Sequence, residues 1–259
     1  HDITADLKLG LAASVATDSE AAAPAPGTGI EDDTTGGDDE TSIATIPTLT
    51  TATTSYPLTV DVTNTGATAN LGAWIDFNRD GDFADTGEFQ TTTVNNGETS
   101  KSLTWTPTPG PALVAGQSYI RVRMTRDALV QADVSGNKTD GEVEDFPVTI
   151  ENKDFGDAPV GYGTPSHDIT ADLKLGLAAS VATDAEASAP AIGTGIEDDT
   201  TGVDDETSIA TIPTLSTGTT IYSLRVDVTN TGATANLGVW VDFNKDGDFA
   251  DTGEFQSTT

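Results

Sequence analysis

The sequence predicts an all-β protein: β-sandwich modules with calcium-binding loops, in tandem repeat. Three observations carry this. Short apolar/polar alternations recur between Gly-, Pro- and Asn-rich turns, and no segment has the period of an amphipathic helix. Residues 1–93 align without gaps to residues 167–259 and differ at 13 positions. Within each copy an acidic thirteen-residue stretch, DFNRDGDFADTGE at 76–88 and DFNKDGDFADTGE at 242–254, follows an apolar run. Near-identity at a 166-residue spacing means a repeated module, with a first copy over 1–153 and a second over 154–259. The second copy stops part-way, so the chain reads as an excerpt of a longer array.

In chain order, Leu7, Leu9 and Leu11 alternate as a short strand. Residues 19–29 are Ala/Pro/Gly-rich loop. Tyr56, Leu58, Val60 and Val62 alternate with polar residues, and the copies differ at 55, 57 and 59, on the face expected to meet solvent. Residues 71–77 form a strand that runs into the acidic stretch. Asn95-Asn96-Gly97 is a turn, followed by a strand with Leu103 and Trp105. Residues 117–125 alternate Ile120, Val122 and Met124 with Tyr119, Arg121 and Arg123. Phe146, Val148 and Ile150 form the inward face of a last strand. Many short strands with such turns argue for a sandwich.

The acidic stretch places Asp76, Asn78, Asp80 and Asp82 at alternate positions, with Gly81 among them and Asp85 and Glu88 behind. Alternating hard oxygen donors ahead of a glycine wrap a loop around Ca2+, and the order matches the start of an EF-hand loop. The last acid is one position late, on Glu88, and a strand precedes the loop where an EF-hand has a helix. The expected ligands are Asp76, Asn78, Asp80, Asp82, Asp85 and Glu88, and again Asp242, Asn244, Asp246, Asp248, Asp251 and Glu254. Further calcium sites are expected at Asp32, Asp33, Asp38, Asp39 and Glu40, at Asp198, Asp199, Asp204, Asp205 and Glu206, and at Asp154 and Asp157 of the junction. So many carboxylates in two short runs repel one another unless a cation lies between them.

Composition narrows the function. Forty-two acids against 11 basic residues give a net charge of −31. Such a surface repels nucleic acid and anionic membrane. No apolar run approaches the ~20 residues of a membrane span, so neither nucleic acid nor membrane insertion is expected. With no cysteine, there is no disulfide framework and no thiolate metal site. Weak calcium loops fill where calcium is abundant, at ~10⁻⁴–10⁻³ M, which points outside the cell or to its surface. His1 and His167 are one position repeated, and no nucleophile elbow is present, so the chain is not read as an enzyme. Arg121, Arg123 and Arg126 are expected to tie down nearby acids, with Glu142, Glu144 and Asp145 the nearest in sequence. Lys101 and Lys138 are candidates, by residue type alone, for an internal isopeptide bond.

Gly141-Glu142-Val143-Glu144-Asp145-Phe146, ahead of a strand, resembles the signature of the GEVED domain family of bacterial surface proteins. Asp154-Phe155-Gly156-Asp157-Ala158-Pro159 resembles that family's opening segment, and Leu7-Lys8-Leu9-Gly10 its early strand. Trp74-Ile75-Asp76-Phe77-Asn78 with Asp80-Gly81-Asp82 and Gly87-Glu88 resembles its core. Phe146 stands where the family often has Tyr, and Thr41-Ser42 where Asp-Gly is common. The resemblance implies an extracellular, non-catalytic β-module. Together with the near-identical copies, it suggests a structural repeat of a calcium-stabilised bacterial fibre or adhesin. Its partners would be neighbouring copies of the repeat and other chains of a fibre. The alternative is a carbohydrate- or ligand-binding surface module, which needs exposed aromatics; Trp74 and Trp105 read instead as strand residues. The junction after residue 150 holds Phe155 and Pro159 and too little Gly and Ser for a free tether, so it is expected to be ordered.

Overall fold

The computed structural model describes residues 6–13, 41–107, 112–180, 183, 185–186 and 207–259. Their regular structure is all β, apart from two short 3-10 turns at Gln131–Val134 and Val160–Tyr162. The chain divides into His1–Glu151 and Asn152–Thr259.

In the first unit the strands are β1 (Leu7–Leu9), β2 (Leu49–Thr50), β3 (Tyr56–Asn64), β4 (Ala69–Ile75), β5 (Phe89–Val94), β6 (Ser100–Trp105), β7 (Gly116–Thr125) and β8 (Glu142–Glu151). They form a three-stranded sheet, β1-β3-β6, and a five-stranded sheet, β2-β8-β7-β4-β5. Period-2 patterning decides which side chains go inward. On β3, Tyr56, Leu58, Val60 and Val62 are buried while positions 55, 57 and 59 are exposed. The copies therefore diverge on the solvent side of this strand. Leu103 and Trp105 of β6, Ile120, Val122 and Met124 of β7, and Phe146, Val148 and Ile150 of β8 join β3 in one continuous cluster of buried side chains. Each large aliphatic side chain taken from water contributes roughly 1.5–3 kcal/mol, and this cluster is the main source of the unit's stability.

Two expectations need correction. Leu11 does not extend the first strand. Gly10 turns the chain at φ +81°, and Leu11 is exposed. The last strand starts earlier than the alternation of Phe146, Val148 and Ile150 alone implies. Carried back two and four residues, the inward face holds Glu144 and Glu142, both buried, whereas Val143 faces out.

The arginines are structural; Arg121 finds Asp145, one of the expected acids, whereas Arg123 and Arg126 take partners other than Glu142 and Glu144. Arg121 lies opposite Asp145 across the β7–β8 ladder and grips it through Nε (2.7 Å) and Nη2 (2.5 Å). Arg126 pairs with Asp140 (2.6 Å) and Asp6 (2.7 Å). Arg123 donates to the carbonyls of Asp133, Ser135 (3.1 Å) and Gly136 (2.8 Å). Trp74 Nε1 donates to the Gln131 carbonyl at 2.9 Å. These bonds hold the 126–140 connection against the outer face of the five-stranded sheet. Glu142 and Glu144 pair in register with Met124 and Val122, on the opposite face from Arg121 and Arg123. Lys101 and Lys138 form ion pairs with Glu98 and Asp133, each at 2.7 Å.

The second unit contains β9 (Lys153–Phe155), β10 (Ser166–Asp168), β11 (Leu173–Leu175), β12 (Val228–Asn230), β13 (Leu237–Trp240) and β14 (Phe255–Thr258). β11 pairs with β12, and β13 with β14, in the register of β1–β3 and β4–β5, displaced by 166 residues. Among its described residues nothing stands where β6, β7 and β8 stand in the first unit. Leu173 and Leu175 are exposed, while Leu7 and Leu9 are buried. The opening residues of the junction are ordered: β9 pairs antiparallel with β10, with Asp154 opposite His167.

Candidate metal centre

The loop at 76–88 starts where β4 ends and closes where β5 begins. Its backbone needs left-handed residues to turn so tightly: Gly81 has φ +92°, Gly87 φ +102°, and Arg79 φ +59°. Arginine adopts that region at a cost. Its guanidinium is held by the carbonyls of Gln117 (2.8 Å) and Ala115 (2.5 Å), which secures the residue there. Lys245 repeats the conformation in the second copy at φ +62°.

Side-chain oxygens organise the loop from within. Asn78 Oδ1 accepts from Asp80 N (3.0 Å), Asp80 Oδ1 from Asp82 N (3.1 Å), and Asp82 Oδ1 from Ala84 N (2.8 Å). These are successive Asx turns, each folding the chain back on a side-chain oxygen of Asn78, Asp80 or Asp82. Asn78 Nδ2 donates to Asp80 Oδ2 (3.2 Å) and Asp85 Oδ2 (2.5 Å). Glu88 is fully buried and closes the loop, accepting from Phe77 N through Oε1 and from Asp85 N through Oε2, both at 3.1 Å. Its own carbonyl takes the Trp105 indole N–H (2.9 Å) and Ile75 N (3.0 Å), fastening the loop to the core.

Asp76 Oδ2 accepts from Gly81 N at 3.2 Å, whereas Oδ1 is buried with no hydrogen-bond partner. The residue is only 7% exposed. Burial pushes the Asp76 carboxyl above its ordinary range, and the nearby Asp80 charge adds to this. Burial also pushes Glu88 up to about 7, against the pull of the amides of Asp85 and Phe77. These are close acids without a counter-charge. Among the described residues no three Asp, Glu, His or Cys side chains converge as a ready-made cage. The donor set still suits a hard cation: oxygen only, with one buried carboxylate oxygen left unsatisfied.

The 242–254 loop repeats the pattern with one difference: Asp242 Oδ1 accepts from Lys245 N (2.5 Å), where Asp76 Oδ1 has no partner. Gly247 N donates to Asp242 Oδ2 (3.1 Å), Asp246 N to Asn244 Oδ1 (3.0 Å), and Asp248 N to Asp246 Oδ1 (3.3 Å). Phe243 N and Asp251 N donate to Glu254, at 3.1 and 3.3 Å. The expected sites at Asp32, Asp33, Asp38, Asp39 and Glu40, and at Asp198, Asp199, Asp204, Asp205 and Glu206, lie outside the described residues. Asp154 lies in β9, and Asp157 in the turn after it.

At the other end of the five-stranded sheet is a feature that residue type alone did not flag. Glu144 accepts from Ser42 N (3.1 Å), Thr41 N (3.3 Å) and the Ser42 hydroxyl, and Glu142 from Leu9 N. Two adjacent inward glutamates thus join the last strand to the first strand and to the chain at 41–42. Residues 70–149, from β4 through the loop to β8, match the GEVED domain. The first unit carries a GEVED domain. No curated protein matches the chain. In the GEVED signature of this chain, Gly141 turns into the strand, Glu142 and Glu144 hold distant backbone, and Asp145 holds Arg121.

Glu144 also makes the domain's stability depend on pH. Burial pushes its carboxyl up to about 8; Glu142 raises it further, and the Ser42 and Thr41 donors pull it down. A folded pKa above the unfolded one means the native state binds more protons between the two values. This contribution is fully present below about 4.5 and is lost as pH rises through about 8. Denaturant unfolding from pH 4.5 to 8.5 is expected to show that decline. Glu144→Gln, neutral at every pH, is expected to make it shallower, leaving the part that Glu88, pushed up to about 7, contributes; an unchanged slope would remove Glu144 as a cause.

Proposed function

We propose that the chain is a structural part of an extracellular fibre or adhesin, built from β-sandwich modules in tandem and stabilised by calcium. The observation that carries this reading is the buried, unpartnered Asp76 Oδ1 inside a loop of hard oxygens, a loop whose Asx turns and glutamate closure recur in the second copy. Asp76, Asn78, Asp80, Asp82, Asp85 and Glu88 would hold the cation, as would Asp242, Asn244, Asp246, Asp248, Asp251 and Glu254. The cation supplies positive charge among carboxylates that otherwise repel, in a protein of net charge −31. Its role is mechanical: it ties the end of β4 to the start of β5. Partners are other copies of the module, and the role is non-catalytic. Calcium dependence and acidity both suit a location outside the cell.

A carbohydrate-binding role is less well supported. Trp240 and Phe255 are exposed and stack at 4.7 Å, but they are counterparts of Trp74 and Phe89, and Trp74 is completely buried. No described helix is long and apolar enough to cross a membrane.

Calorimetry on the whole chain is expected to record calcium uptake at millimolar concentration, with Asp80→Ala and Asp246→Ala each abolishing one loop's share. At ten times Kd each site adds about 1.4 kcal/mol to stability, so chelation lowers the melting temperature. Close to pH 7, uptake also releases protons, because the cation displaces them from Glu88. No uptake at millimolar calcium would overturn the reading.

A further inference from the structure

The second unit holds a contact for which neither the family match nor the loop pattern accounts. Between β9 and β10 the chain makes the 3-10 turn Val160–Tyr162, which meets the 242–254 loop at three points. Tyr162 Oη donates to Asp242 Oδ2 at 2.7 Å. The Tyr162 ring lies 4.6 Å from the Phe249 ring, tilted by 45°. Gly161 passes so near the Gly247 carbonyl that a Cβ there would stand 2.4 Å from its oxygen. The three contacts fall on the first, sixth and eighth residues of the loop.

The choice of oxygen matters. In both loops Oδ2 of the first aspartate is tied to the amide of the sixth residue, and in the first loop it is Oδ1 that is buried without a partner. In the second loop Asp242 Oδ1 accepts from Lys245 N at 2.5 Å; a carboxylate oxygen has a second lone pair for a cation, and Tyr162 sits on the other oxygen. A hydrogen bond to the far oxygen of a ligating carboxylate fixes its orientation without occupying a coordination place, and losing such a partner typically weakens metal binding 10–100-fold.

Resting on the calcium reading above, we propose that Tyr162 is a positioning residue for the second loop. The segment 152–168 braces Asp242 through its far oxygen, so calcium binding and docking of that segment strengthen each other. The reinforcement is reciprocal, because coupling between two binding events must be equal in both directions. The junction ahead of a module thereby becomes ordered in proportion to calcium.

The test uses the whole chain with one loop silenced at a time, and Ca2+ alone as the probe. In the Asp80→Ala background, calorimetry reports the second loop, and Tyr162→Phe is expected to weaken calcium binding on the order of tenfold. Phenylalanine keeps the ring on Phe249, so the change isolates the hydroxyl. In the Asp246→Ala background, the first loop's affinity is expected to be unmoved by Tyr162→Phe. Amide hydrogen exchange supplies a second readout. Calcium is expected to slow exchange across 153–168 in the unmutated chain, and that slowing disappears with Asp246→Ala. Equal or tighter calcium binding by Tyr162→Phe at the second loop overturns the proposal while the calcium reading stands. A loss at both loops, or exchange across 153–168 indifferent to calcium, overturns it too. No calcium uptake by either loop of the unmutated chain overturns both readings together.

Discussion

Gly141→Ala is expected to destabilise the first unit by about 4 kcal/mol or more, on the scale of strained backbone combined with a steric clash. Gly141 has φ +97°, which alone disfavours any side chain. The larger cause is space. A Cβ there would stand 1.7 Å from the Met124 carbonyl oxygen and 2.7 Å from its carbon. Those atoms belong to β7, whose ladder with β8 starts at the next residue, where Glu142 pairs with Met124. Relief requires prising the two strands apart at the point where Glu142 and Glu144 are held. Gly97 supplies the comparison. Its φ is +82°, yet a Cβ there meets nothing within 4 Å, so Gly97→Ala is expected to cost only about 1 kcal/mol of backbone strain. Denaturant unfolding of both variants decides the matter. Equal costs would mean that the close approach at Gly141 relaxes freely and that only its φ matters.

Trp105→Ala is expected to cost about 3–5 kcal/mol, the usual range for deleting a buried aromatic. Trp105 is completely buried, packs 6.5 Å from Tyr56, and donates its indole N–H to the Glu88 carbonyl. It is thus both a core residue of β6 and the anchor of the loop's closing residue. Trp105→Phe separates the two roles, keeping most of the packing and losing the donor, at about 1–2 kcal/mol. The same unfolding experiment gives both values. A Trp105→Phe variant as unstable as Trp105→Ala would mean that the hydrogen bond to the loop outweighs the packing.

Much of this could be read from the chain without coordinates, because it is local. Alternation placed Tyr56, Leu58, Val60 and Val62 inward, and the repeat itself marked 55, 57 and 59 as the solvent face. The spacing of Asp76, Asn78, Asp80 and Asp82 around Gly81 marked a tight loop of oxygen-bearing side chains, and the successive Asx turns found there suit those residue types. Each of these signals lies within a dozen residues.

What only the tertiary structure decided involves partners far away in sequence. Arg121, Arg123 and Arg126 were legible as structural, but carboxylate type could not say that Arg123 would take the carbonyls of a loop, or that Arg126 would reach Asp6 across 120 positions. Asp76 Oδ1 became a buried orphan, and Tyr162 found Asp242 80 residues on, only once the elements had packed. Alternation back from Phe146, Val148 and Ile150 runs onto Glu144 and Glu142, but the local sequence does not say how two inward acids are satisfied. The register with β7 turned Glu142 and Glu144 inward, where Leu9 N, 133 residues from Glu142, and Ser42 supply the donors. Local pattern sets the period of a strand, because successive side chains must alternate. Which face is buried, and which distant amides make a buried acid tolerable there, depends on what packs against it, and that is a property of the assembled sheets.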